Sequence, residues 1–268
     1  MRIILVTLSL GEPYTRGYTL RMIEDVLRLS DLEFHITTDC PHVIEELYKD
    51  NERIKINYCN LEGVKTNLFI GPSKTATDWN FNLRYKTVET VMDIEDAVVI
   101  WTDCDNSFDW YDRKNLEDFL SEKISQGYDF FGPRTDLKWK NFYNNYMNNR
   151  TSHTDGIFWH KIHDYDLFDN PNHEWDDAPL PAEYLLVFYN REKKLKKFYE
   201  QWKWFYNHLN KKEWVNGTWA EGFEIGVSTH VAGFKPFDIG WHSPVLSKML
   251  VANGYKSGHR GSHYFERI

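Results

Sequence analysis

Apolar and polar positions fall into two alternating rhythms over the first 132 residues. The short runs Ile3–Leu8, Phe34–Thr38, Ile54–Tyr58 and Ala97–Thr102 are too brief for helices and rich in β-branched residues, so they predict strands. Tyr128–Phe131 predicts a shorter one. Between them, apolar residues three and four apart predict helices. These are Thr19–Leu29, with Leu20, Ile23 and Leu27 on one face, His42–Lys49, Asn82–Met92 with Leu83, Val88 and Val91 inward, and Arg113–Ile124. Strands alternating with helices predict an α/β fold with a mostly parallel, doubly wound central sheet flanked by helices.

The rhythm breaks from Pro133 to Asp177, a stretch rich in Asn, Asp, His, Trp and Tyr and poor in aliphatics. It reads as irregular, with one strand near Gly156–His160, and its aromatics argue against disorder. Glu183–Tyr189 predicts a strand. In Glu192–Leu209, Leu195, Phe198, Tyr199, Trp202, Phe205 and Tyr206 recur at helical spacing, largely apart from Lys193, Lys194, Lys196 and Lys197. That pattern is a core stripe with a solvated lysine face rather than a binding surface. A helix over Glu221–Val231 and a strand over Pro236–Ile239 follow. The tail from Lys248 to Ile268 holds Gly, His, Arg and Lys and few acids. With no repeat and no clear linker, 1–268 reads as one domain with halves 1–132 and 133–268.

Composition changes the picture at three points. An aromatic share of 16% serves a core first and can also stack on sugars or bases. A net charge of −8 counts against non-specific binding to nucleic acid. Cys40, Cys59 and Cys104 are an odd number without metal-finger spacing, which suits free thiols in a reducing compartment. The apolar stretch Arg2–Leu10 is too short to span a bilayer and lacks a small-residue cleavage site. The expectation is a cytoplasmic protein. On that basis the glycosylation sequons at Asn149 and Asn216 are coincidental.

The most informative stretch is Ile100-Trp101-Thr102-Asp103-Cys104-Asp105, an apolar strand ending in two acids one residue apart. Ligands of open α/β sheets bind outside the carboxyl ends of the strands. Two carboxylates there repel each other and call for a cation, and Asp-x-Asp spacing lets both hold one divalent ion. The competing reading is two turn formers, or caps for the helix starting near Arg113. The loop Thr7–Gly17, after the first strand, offers amides and hydroxyls. It has neither Gly-x-Gly-x-x-Gly nor a Gly-Lys-Ser/Thr phosphate loop, which counts against dinucleotide binding and NTP hydrolysis.

Asp39, at the end of the second strand, is placed either to take a ribose hydroxyl or uracil or to act as a turn residue. Arg84 either neutralises charge near a metal, reaches the sugar, or solvates a helix start. Glu221 and Glu224 open a predicted helix, where acids serve as dipole partners or as a base for an acceptor hydroxyl. The C-terminal segment offers His230, His242, His259 and His263 with Lys235, Lys248, Lys256 and Arg260, and His259-Arg260-Gly261 suits a metal ligand and a phosphate clamp.

This ordering of parts resembles the GT-A fold glycosyltransferases, the nucleotide-diphospho-sugar transferase-like fold, over most of the chain. Asp103-Cys104-Asp105 is the specific motif. The resemblance implies Mn²⁺ or Mg²⁺ on Asp103 and Asp105, bridging the diphosphate of a nucleotide sugar, usually UDP-linked. It implies nucleotide contacts from Thr7, Leu8 and Asp39, with Arg84, Lys256 and Arg260 around the donor. It also implies a further metal ligand from the tail, His259 ahead of His242. Glu221 or Glu224 takes the place of the base of inverting members; a retaining enzyme needs none. The usual pair of adjacent acids is missing there, so the stereochemistry stays open. The acceptor is a hydroxyl of a glycan first, or of a protein or a modified DNA base. Pro133–Asp177 would form the acceptor side. Two other readings stand beside this one: a phosphohydrolase of the haloacid dehalogenase type with Asp103 as nucleophile, and a carbohydrate-binding module using the aromatics of Pro133–Asp177.

Overall fold

The computed structural model describes residues 1–62, 68–70, 76–78, 81–138, 140, 175–182, 184–209, 221–240, 243 and 245–255. The strands in chain order are β1 (Arg2–Ser9), β2 (Glu33–Thr38), β3 (Ile54–Tyr58), β4 (Leu68–Ile70), β5 (Ala76–Asp78), β6 (Ala97–Thr102), β7 (Ser107–Phe108), β8 (Phe130–Gly132), β9 (Leu185–Asn190), β10 (Pro236–Asp238) and β11 (Leu250–Val251). The helices are α1 (Leu20–Leu29), α2 (Pro41–Tyr48), α3 (Lys86–Glu89), α4 (Arg113–Ser125), α5 (Lys194–Leu209), α6 (Glu221–Val231) and α7 (Leu246–Met249).

Among the described residues, seven strands form the central sheet in the order β10-β8-β9-β6-β1-β2-β3. β1 is parallel to β2 and β6, β2 to β3, and β8 to β10. β9 runs antiparallel to both β6 and β8. Strands of the second half therefore complete the sheet begun by the first. β4 pairs with β5, and β7 with β11, as separate two-stranded ladders.

Alternation along the strands builds a core layer on each face. Ile3 and Leu5 of β1, with Val98 and Ile100 of β6, pack on Ile23 and Val26 of α1, Val43 of α2 and Leu120 of α4. Ile4 and Val6, with Val99 and Trp101, face the other way, toward Leu83, Val88, and Phe198 and Trp202 of α5. A strand buried on both faces needs an unbroken apolar run, as β1 and β6 have. The aromatic stripe of α5 is core as expected, with Leu195, Phe198, Tyr199, Trp202 and Phe205 buried.

Three expected elements are redrawn. The segment predicted as one helix over Asn82–Met92 is a 3₁₀ turn at Phe81–Tyr85 followed by the single turn α3. The Thr87 hydroxyl donates to the Arg84 carbonyl at 2.7 Å, and the Thr90 hydroxyl to that of Thr87 at 3.1 Å. Such side-chain bonds compete with the helical ladder. The helix predicted from Thr19 is reached through a continuous helical stretch, a turn at Glu12–Tyr14 and a π-helical turn over Thr15–Thr19, so the expected loop up to Gly17 is helical from Glu12. Helix α5 starts at Lys194 because Glu192 and Lys193 hold positive φ values of 56° and 57°. Gly156–His160, most of Pro133–Asp177 and the tail beyond Tyr255 lie outside the described residues, as do Asn149 and Asn216. Among the described residues no helix is long and apolar enough to cross a membrane.

Candidate active site at the sheet switch point

The chain winds outward from β1 through β2 to β3, then returns to the opposite side of β1 with β6. The sheet order thus reverses between β1 and β6, and the carboxyl ends of those two strands form the crevice where open α/β sheets take their ligands. Asp103 directly follows β6. The Thr7 hydroxyl donates to the Thr102 carbonyl at 2.7 Å and laces the two strand ends together. Leu8, half-buried, packs against the core layer of Val6 and Trp101.

The loop after β1 is fixed from both sides. Ser9 Oγ lies 2.9 Å from Thr15 Oγ1 and accepts from the Thr19 hydroxyl at 2.6 Å. Asp39 Oδ1 accepts the Gly11 N–H at 2.7 Å and ties the β1 loop to the end of β2. Gly11 sits at φ 84°, a conformation that suits glycine. Asp39 is thus a positioned acid between two loops of the crevice.

Asp103 meets Arg84. An Arg84 Nη2 stands 2.8 Å from Asp103 Oδ1, with side-chain exposures of 11% and 27%. The guanidinium lies 5.2 Å from the centroid of the Trp101 ring, so an indole face and a carboxylate hold it together. Arg84 is thus ion-paired with Asp103 and largely buried. Asp105 is 6% exposed. Cys104, buried between them, has its thiol pushed up to about 12 by burial and then by the carboxylates of Asp105 and Asp103. It is a neutral spacer, not a nucleophile. Neither acid caps the following helix: Asp112 does, accepting the Asn115 N–H at 3.0 Å.

Sequence reasoning missed how the stretch after the motif is held. Residues 105–109 lie along residues 249–255. The Tyr255 N–H donates to the Asp105 carbonyl at 3.2 Å, and the Asp109 N–H to the Met249 carbonyl at 2.9 Å. Between them β7 pairs antiparallel with β11, Val251 opposite Ser107 and Leu250 opposite Phe108. The Tyr255 hydroxyl accepts the Phe108 N–H at 3.3 Å and donates to Asp25 at 2.8 Å. Gly254 is packed so closely that a Cβ there would lie 2.0 Å from Ser107 Oγ. The tail therefore enters the site beside Asp105.

Of the remaining candidates, only the Glu224 side chain is among the described residues. Glu224, 5% exposed on α6, accepts the Trp202 indole N–H of α5 at 3.1 Å. Glu221 is the first residue of α6, and its side chain is outside the described residues, as are His242, Lys256, His259 and Arg260. Two aspartates on one loop supply hard oxygen donors, which suit Mg²⁺ or Mn²⁺ rather than a soft metal. Among the described residues no group of three His, Cys, Asp or Glu converges into a metal site.

No family model matches the sequence, and no curated protein matches it. Solved structures similar to the chain include the apo form of mouse xyloside xylosyltransferase 1. That similarity is 14% identity and a TM-score of 0.44, over 98% of this chain and 95% of that one. A galactosyltransferase, LgtC, in complex with donor and acceptor sugar analogues, has 12% identity and a TM-score of 0.47, over 89% of this chain and 74% of that one. The 4-diphosphocytidyl-2C-methyl-D-erythritol synthase of Anaerococcus prevotii has 12% identity and a TM-score of 0.39, over 90% and 87%.

Proposed function

We propose that this chain is a metal-dependent glycosyltransferase of the GT-A type, moving a sugar from a UDP-linked donor to an acceptor hydroxyl. The observation that carries the reading is the position of Asp103 and Asp105. Two acids one residue apart stand at the carboxyl end of β6, at the switch point of the sheet, with the Arg84 guanidinium 2.8 Å from the first. A crevice that collects two carboxylates and a cationic side chain has the charge pattern for a divalent ion and a diphosphate.

In this reading Asp103 and Asp105 hold Mn²⁺ or Mg²⁺, with His259, or else His242, as a further ligand. The ion supplies charge neutralisation for the departing nucleoside diphosphate. Arg84 adds a fixed positive charge beside it, held in place by Trp101 and ready to exchange part of its pairing with Asp103 for a phosphate oxygen. Lys256 and Arg260, which follow Tyr255 in the sequence, would add positive charge for the diphosphate. Thr7, Leu8 and Asp39 line the strand ends where the nucleoside would lie. Glu224 or Glu221 is the base if the reaction inverts. The 1–132 half then binds the donor, and the 133–268 half takes the acceptor, a glycan first.

The test measures UDP release from UDP-sugars with Mn²⁺ for the wild type, Asp103→Asn and Asp105→Asn. The expected loss is at least a hundredfold in each variant, about 2.7 kcal/mol of transition-state stabilisation. Undiminished release in both variants would defeat the metal assignment. A phospho-aspartyl species on Asp103, trapped with a metal fluoride, would point to the phosphohydrolase instead.

A further inference from the structure

Asn106 follows the two acids and is 1% exposed. Its side chain joins three separate stretches of chain. Nδ2 donates to Thr102 Oγ1 and to the Tyr184 carbonyl, each at 2.8 Å. Oδ1 accepts the Asn253 N–H at 3.0 Å. Its own N–H closes back on the Asp103 carbonyl at 3.2 Å. Three of the four hydrogen bonds that one side-chain amide can make are thus spent on the end of β6, the lead into β9 and the C-terminal stretch. The loop between Thr102 and Asn106 has little freedom left, and that loop is where both carboxylates are attached.

We infer that Asn106 is a positioning residue: it sets the separation of the Asp103 and Asp105 carboxylates and locks residues 249–255 against them. The inference rests on the functional reading above only for what those carboxylates bind. A residue that touches only backbone and hydroxyl groups around a pair of ligands acts through their placement. Loss of such a partner costs about ten- to a hundredfold in metal affinity.

Asn190 provides a matched control. It is also fully buried, and its Nδ2 donates to the carbonyls of Met92 at 3.1 Å and Ile94 at 2.8 Å, while its Oδ1 accepts the Leu195 N–H at 3.1 Å. It pairs with Ala97, at the opposite end of β6. Asn106→Ala and Asn190→Ala remove the same chemistry from the two ends of one strand pair.

The experiment titrates Mn²⁺ by electron paramagnetic resonance into the wild type, Asn106→Ala and Asn190→Ala, and follows amide exchange in each without metal. Asn106→Ala is expected to lose Mn²⁺ affinity about tenfold or more. Its Asn253 and Tyr255 amides are expected to exchange faster. Asn190→Ala keeps wild-type values in both measurements while melting earlier. Asn106→Ser, which retains one hydroxyl, serves if the alanine variant does not fold, and is expected to fall between. Wild-type affinity and wild-type exchange in the Asn106 variants would overturn the inference, and so would an equal loss of affinity in Asn190→Ala. A wild-type protein that binds no Mn²⁺ overturns the functional reading instead, and the exchange measurement then decides the role of Asn106 alone.

Discussion

Individual side chains here gain their meaning from what buries them. His35 of β2 is an example away from the site. Its Nδ1 lies 3.3 Å from Thr90 Oγ1, and its Nε2 stands 3.5 Å from Glu33 Oε2, too far for a made hydrogen bond. Burial holds its pKa below the ordinary 6.5, and the positive charges of Arg2 and Lys55 act the same way, against the opposing pull of Glu33. A base with a depressed native pKa binds fewer protons folded than unfolded. Its stabilising contribution is therefore full above about pH 6.5 and is lost as the pH falls toward the native value. Thermal melts from pH 7.5 down to pH 5 should show this decline in the wild type and a flatter profile in His35→Gln. Equal slopes would refute the assignment. At this scale the acids of the site were legible, because two aspartates at the end of an apolar strand are visible in one dimension. Asn106 was not: an asparagine after two acids reads as a turn former, and its partners Tyr184 and Asn253 are remote in sequence.

Among the elements, α6 meets its surroundings at a glycine. A Cβ on Gly226 would lie 1.7 Å from the Pro179 carbonyl oxygen and 2.9 Å from its carbon. Alanine is the better helix former by up to about 1 kcal/mol. The clash with backbone is larger, since forcing extra volume into a packed contact costs about 1–3 kcal/mol. Gly226→Ala should thus lower the urea midpoint, and a raised midpoint would show that the Pro179 segment yields freely. Periodicity found α5 well, because a buried stripe on a long helix repeats several times. It could not find β7 and β11, two residues each, which carry no period at all. Nor could it see that α3 is a single turn, since threonine side-chain bonds rather than apolar spacing end the helix there.

For the molecule as a whole, the alternation of strands and helices gave the layered α/β plan, and the buried runs gave its central strands. The antiparallel insertion of β9 between β6 and β8 was not legible, because an apolar run carries no direction. The assembled switch-point crevice makes a global prediction. UDP with Mn²⁺ at about a hundred times the dissociation constant should add roughly 2.7 kcal/mol of stability by mass action. That is a rise of several degrees in melting temperature, absent in Asp103→Asn. A rise of equal size in that variant would place the nucleotide elsewhere.

The strap over the aspartate loop also bears on the order in which the native state is reached. The Phe108 amide waits for a hydroxyl 147 positions further along the chain. Closing so long a span is entropically slow, and contacts of this separation form late. The strands β1, β2 and β3 pair across much shorter spans, so a molecule arrested partway would carry that part of the sheet and an unformed aspartate loop. The metal binding proposed for that loop then arrives as the closing event of refolding, lagging behind recovery of secondary structure.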